Sequence, residues 1–392
     1  MQTSTTNTRH TPRVDGLHRC VRLACGSALL SIVVPAWAAC DITAPASLQT
    51  VTCTGAAPNP FTTAVTSTAG ARGVTVHVSA GAQLAVSAGN AIFLQGGSGH
   101  TIVNDGSISS AAGTALFLNG ATRVENRGTI SGAAGGIVSG AGNDQLEMLG
   151  GSIAGGVVQG AGDDAIVING GSISSIDQGA GQDSLEISGG TVSGIVQQGG
   201  GVDTFLMTGG SIGALLQGDA LDRFRMTDGR IVGAFEDGDY AEMTGGRIGR
   251  VNMKLDDNTF LMSGGTIDGN LVTGFGADTI VVSGGYIGGN ISVSGGNDAI
   301  TITGGAVRGE IRLSFGNDSL DWNTGGVVYE AVDLGEGDDR ASLANLNLAH
   351  LGALPVFDGG LGTDTLTMDN VKTNGSPGSP VGRPWRFGMT AS

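Results

Sequence analysis

Residues 140–148 read Gly140-Ala141-Gly142-Asn143-Asp144-Gln145-Leu146-Glu147-Met148. Twenty residues on, the pattern returns as Gly160-Ala161-Gly162-Asp163-Asp164-Ala165-Ile166-Val167-Ile168. A glycine-rich turn ending in Asp is followed by apolar residues two apart, Leu146 with Met148 and Ile166 with Ile168, which is the period of a strand. The turn aspartates recur as Asp144, Asp164, Asp183, Asp203, Asp222, Asp239, Asp278, Asp298, Asp318, Asp339 and Asp364, with Asn258 at the missing beat. A second signature follows each first strand, as in Gly150-Gly151-Ser152-Ile153, Gly209-Gly210-Ser211-Ile212 and Gly264-Gly265-Thr266-Ile267, and a third apolar patch such as Val157-Val158 closes the unit. About 20 residues holding two or three short strands cannot enclose a core, so each unit must be one coil stacked on the next. The expected fold is all-β, a single-stranded parallel β-solenoid (β-helix). About 300 residues at about 20 per coil give roughly 15 coils and a rod of about 70 Å.

Composition agrees with that reading. The chain has 392 residues, of which 72 are Gly and only 9 are Pro, and Gly does not fall at every third position, which excludes collagen. Glycine disfavours helix, so a coiled coil is excluded as well. Stacked turns explain the excess, because a φ above zero can recur in columns without a Cβ penalty. Aromatic residues make up 4% of the chain, so the core is expected to be thin layers of Ile, Val, Leu and Ala. Looser units at Val103-Asn104-Asp105-Gly106-Ser107-Ile108 and Val124-Glu125-Asn126-Arg127-Gly128-Thr129-Ile130 place Asn on a turn and return Ile to the core.

The first 38 residues read as a secretory signal peptide. Arg9, Arg13, Arg19 and Arg22 precede an apolar run from Ala24 to Val34, and Ala36 and Ala38 supply a small-residue cleavage site, with the cut after Ala38 favoured over one after Ala39. The apolar run is too short to span a bilayer, and no membrane-spanning segment is expected in the mature chain. The formal net charge is −16; residues 1–38 carry four Arg and one Asp, a net +3, so the remainder carries −19. A nucleic-acid partner is therefore not expected. The mature chain retains Cys40 and Cys53, an even pair in an exported protein, and a disulfide between them is the economical reading. Residues 39–69 are assigned to an N-terminal cap with that disulfide, 70–371 to the solenoid, and 372–392, with Pro377, Pro380 and Pro384, to an unstructured tail.

The basic signal region, the mature start Cys40-Asp41-Ile42-Thr43 running to Val51-Thr52-Cys53, and the Gly-Gly-Ser/Thr-Ile coils resemble a bacterial autotransporter passenger domain of the pertactin-like β-helix type. The resemblance covers about residues 1–371. It implies use of the Sec export machinery and display at the cell surface or release from it. It also implies adhesion, aggregation or virulence through a host-cell or matrix ligand or self-association. Proteins of that kind end in a translocator barrel, and residues up to Ser392 hold no such run. The expectation is then a truncated passenger, or a rod that stays periplasmic unless a translocator is supplied.

The turn motif also resembles half of the repeats-in-toxin calcium nonapeptide, which makes Asp144, Asp164, Asp183, Asp203, Asp278, Asp298, Asp318 and Asp339 candidate calcium ligands. The alternative is structural: Asp and Asn bond their own turn backbone and keep the edge soluble. Carboxylates about 5 Å apart along a column repel unless something separates them. Asp222, Arg223, Arg225, Arg230 and Asp239 form a candidate binding patch, the place where a carbohydrate-active β-helix enzyme would carry its carboxylates. Gly209-Gly210-Ser211-Ile212-Gly213 matches a nucleophile elbow only by letter, and His77, His100 and His350 are far apart in the chain. No catalytic set or obligate cofactor is assigned, calcium being the one ion considered.

Overall fold

The computed structural model describes residues 39–347, 349–351 and 356–372; the segment read as a signal peptide and all but the first residue of the segment read as a tail lie outside them. Every strand pairing is parallel, and three ladders run along the molecule. The first runs from Thr50–Cys53 to Thr365–Asp369, the second from Gln83–Val86 to Val327–Val328, and the third from Val65–Thr66 to Phe357–Asp358. The fold is thus the expected parallel β-solenoid. From Thr101 to Thr365 the first ladder makes about 13 turns of about 20 residues. Two wider turns, from Thr50 to Thr75 and from Thr75 to Thr101, precede them.

Those wider turns explain why the solenoid begins earlier than the 20-residue period indicates. Thr50–Cys53 already pairs with Thr75–Val78, and Val65–Thr66 pairs with Ile92–Phe93, so the first coil lies inside the segment read as a cap. Cys40 and Cys53 are disulfide-bonded, and the Asp41 carboxylate accepts the N–H of Thr52 at 2.7 Å. Together they close the N-terminal edge, which would otherwise offer unpaired strand groups.

Alternation builds the core. In Gln145–Met148 and Ala165–Ile168 every second side chain is buried, and in-register pairing stacks Leu146 on Ile166 and Met148 on Ile168. Two features depart from an all-aliphatic core. Phe224 stacks against Phe205 and Phe235, with ring centroids 5.5 and 4.2 Å apart, and Trp322 is fully buried with its indole N–H donating to the carbonyl of Gly325. Asn104 and Asn126 lie in the core row rather than on a turn, where the Asn104 amide donates to Asn126 Oδ1 at 2.8 Å. The pair is tolerated inside because each amide finds a partner in the neighbouring coil.

Glycine is required where coils touch. Gly171 has φ +82°, and a Cβ there would stand 2.7 Å from the backbone of Gly150 and Gly151 in the coil below. In the middle of the rod the corners straighten, and Thr204–Asp219 and Arg223–Glu236 run as long bent strands shared by all three ladders.

Candidate functional site: the aspartate edge

The turn aspartates are turned inward. Asp144, Asp164, Asp183, Asp203, Asp222, Asp278, Asp298, Asp318 and Asp339 are each between 0 and 3% exposed, and Asn258 holds the same row. Oδ1 of each of these aspartates accepts the backbone N–H of the residue at the same position one coil earlier, Thr122 in the case of Asp144. Asp144 donates to Asp164 at 2.7 Å, and Asp164 to Asp183, Asp183 to Asp203 and Asp203 to Asp222 each at 2.8 Å. The series resumes from Asn258 through Asp278, Asp298 and Asp318 to Asp339. These aspartates therefore bond the backbone of the preceding coil rather than that of their own turn. The tight turn brings the carboxyl over the adjacent coil, where a buried N–H needs an acceptor.

The second oxygen is the unusual one. Oδ2 of Asp164, Asp183, Asp203, Asp222, Asp298, Asp318 and Asp339 is buried with no hydrogen-bond partner. Burial, which disfavours the charged form, pushes Asp164, Asp222 and Asp318 up to about 7, and Asp144, Asp203 and Asp298 up to about 6. The accepted N–H groups pull the other way, as do the hydroxyls of Ser139 at Asp144 and Thr273 at Asp278. A proton on a carboxyl of this row removes the repulsion that the spacing creates.

A second, exposed row runs beside the first with opposite polarity. Asn143 accepts the N–H of Asp163, Asp163 that of Gln182, Asn297 that of Asn317, and Asn317 that of Asp338, so each carboxyl or amide reaches forward one coil. Behind the inner row stands a ladder of buried glutamines. Gln178 donates to Gln159 at 3.2 Å, Gln198 to Gln178 at 3.2 Å, and Gln217 to Gln198 at 3.1 Å. Sequence reading missed the glutamines. Their signal was a Gln recurring every 19 to 20 residues at Gln159, Gln178, Gln198 and Gln217, each just before a glycine.

The eight aspartates offered as calcium ligands do not present a shared donor set, since one oxygen of each is engaged and the other is sealed inside. Among the described residues no group of three or more His, Cys, Asp or Glu stands close enough to hold a metal ion. The patch at Asp222 to Asp239 is divided by the sheet. Asp222 is buried and its N–H donates to Asp239 Oδ2 at 2.7 Å, so Asp239 continues the hydrogen-bonded row while itself only half-buried. Arg223, Arg225 and Arg230 point outward from the strand Arg223–Glu236, Arg223 lying over the Tyr240 ring and Arg225 3.6 Å from Glu242. This is also the tightest coil, 17 residues from Arg223 to its partner Tyr240. His77 pairs with Asp105 at 3.2 Å, whereas buried His100 accepts the N–H of Val74 at Nδ1. The two therefore share no site.

Comparison of the chain with protein-family models, with characterised proteins and with solved structures gives no match.

Proposed function

We propose that the protein is an exported, non-enzymatic rod of the autotransporter-passenger kind, which holds outward side chains in fixed register for adhesion to a cell or matrix surface. The observation that supports this most is the first ladder, whose pairing continues coil upon coil from Thr50 to Asp369. Such a stack is stiff in one dimension and tolerant of change on its outer face, which suits display. The disulfide at Cys40 and Cys53 fits an oxidising compartment. Among the described residues no helix is long and apolar enough to cross a membrane.

Expression of the full chain followed by cell fractionation and N-terminal sequencing tests export, and plate adhesion of the purified rod to cells and matrix proteins tests the role. Processing after Ala38 with saturable adhesion is the expected result. An unprocessed cytoplasmic product, or adhesion no greater than that of an inert control protein, would overturn the reading. The carbohydrate-active alternative at Asp222 and Asp239 is not favoured by the burial of Asp222.

A further inference from the structure

Two exposed phenylalanines stand at a turn position that carries Ala or Gly in several other coils. Phe275, Gly295, Phe315, Glu336 and Leu361 occupy one position in successive turns, linked by parallel bridges, and at the same turn position earlier coils carry Ala141 and Ala161. Phe275 is 66% exposed and Phe315 is 58% exposed, in a chain with only 11 Phe. Burial is the default for such side chains, and a row of them along one edge marks a contact surface. The glycine between them shapes the surface. A Cβ at Gly295 would stand 3.3 and 3.5 Å from Cδ1 and Cε1 of Phe275, so that ring lies along the column over Gly295 instead of standing away from it.

Beside the rings runs the exposed polar row of Asp257, Asn297, Asn317 and Asp338. In each, Oδ1 accepts an N–H of the next coil, which orients the side chain and leaves its other polar atom free for a ligand. From Phe275 to Phe315 is two coils, about 9.6 Å at the spacing of paired strands. That is about the length of two linked sugar rings. Neither row carries Lys or Arg at these turn positions, and Asp257, Glu336 and Asp338 are acidic. The charge disfavours an anionic polymer, and it equally disfavours a second copy of this acidic chain seated on the same edge. A neutral polymer with C–H faces to stack and hydroxyls to bond remains.

We propose that this edge binds a neutral polysaccharide, with alternate sugars stacked on Phe275 and Phe315 and their hydroxyls bonded by the Asn297 and Asn317 row. The inference rests on the adhesion reading and names its ligand class.

Affinity electrophoresis of the purified full chain in gels containing hydroxyethyl cellulose, laminarin or mannan, with dextran sulfate as the anionic control, tests it. Retardation by at least one neutral polymer and none by dextran sulfate is expected. The double change Phe275→Ala with Phe315→Ala should weaken binding about tenfold or more, since buried aromatic anchors dominate such contacts. Gly295→Val, which displaces the Phe275 ring, should weaken it too. Circular dichroism and Tm should not move. If the alanine variant unfolds, Phe275→Leu with Phe315→Leu keeps apolar bulk without a stacking face and is read instead. Failure of every neutral polymer to retard the chain, or equal retardation of parent and variants, overturns the inference. Adhesion is measured in parallel. A parent that adheres without binding any neutral polymer sinks this inference alone, whereas one that binds polymer without adhering sinks the adhesion reading alone.

Discussion

The backbone N–H of Asp144 donates to Oδ1 of Asp164 at 2.7 Å across the gap between two coils, while Oδ2 of Asp164 is sealed in the interior without a partner. One carboxyl thus satisfies a buried donor and leaves an oxygen that only a proton can readily neutralise. Repetition of that relationship makes the turn edge both a structural seam and the part of the rod most sensitive to acidity.

Stability should rise on acidification across the neutral range. The folded-state values of Asp164, Asp222 and Asp318 are raised to about 7 from 3.8, so their contribution is fully present below the unfolded value and is lost as pH climbs through about 7. Thermal unfolding followed by circular dichroism should give a higher Tm at about pH 5 than at about pH 8. A Tm that is flat or rises with pH over that interval would count against the buried row.

Asparagine and alanine should behave differently in this row. Asp203→Asn keeps the acceptor for the N–H of Asp183 and removes the titration, and Asn258 shows that an amide can be housed in this row. Its stability near pH 8 should match or exceed that of the parent. Asp203→Ala strands a buried N–H and should lose about 1–3 kcal/mol in denaturant unfolding. Equal losses for the two would show that the hydrogen bond is not the reason for the residue.

Gly171→Ala should destabilise the rod by about 2 kcal/mol or more, because the residue holds a left-handed φ and its Cβ would meet the backbone of the coil beneath. Urea unfolding measures this. A neutral effect would mean that the coils are not in the close register described.

Reduction of Cys40–Cys53 opens a loop with a sequence separation of 13 and should cost about 3 kcal/mol by the chain-entropy argument. Hydrogen exchange should place the loss in the first coils, with protection around Ile166 and Leu185 unchanged. Uniform loss along the rod would instead make the bridge a clamp on the whole stack.

The period, the strand alternation and the cysteine pair were legible because each depends only on residue type and spacing. The direction of a turn side chain was not. Asp163 and Asp164 are adjacent and chemically identical, yet one reaches forward at the surface and the other backward in the interior, a choice made by the backbone N–H groups that the neighbouring coils present. For the same reason Asp222 and Arg223 read as one charged cluster, although the pleat sends them to opposite sides of the sheet. Phe275 and Phe315 carried a signal that was overlooked, an aromatic residue at a beat where no other repeat in the column places one.

The most direct test is a pH titration of aspartate carboxyl carbon shifts in isotope-labelled protein, run with and without millimolar calcium. A set of carboxyls titrating between about 6 and 7, unmoved by calcium, is the expected result. Titration of every aspartate near its ordinary value of 3.8, or a calcium-dependent shift of the inner row, would contradict a proton-neutralised seam.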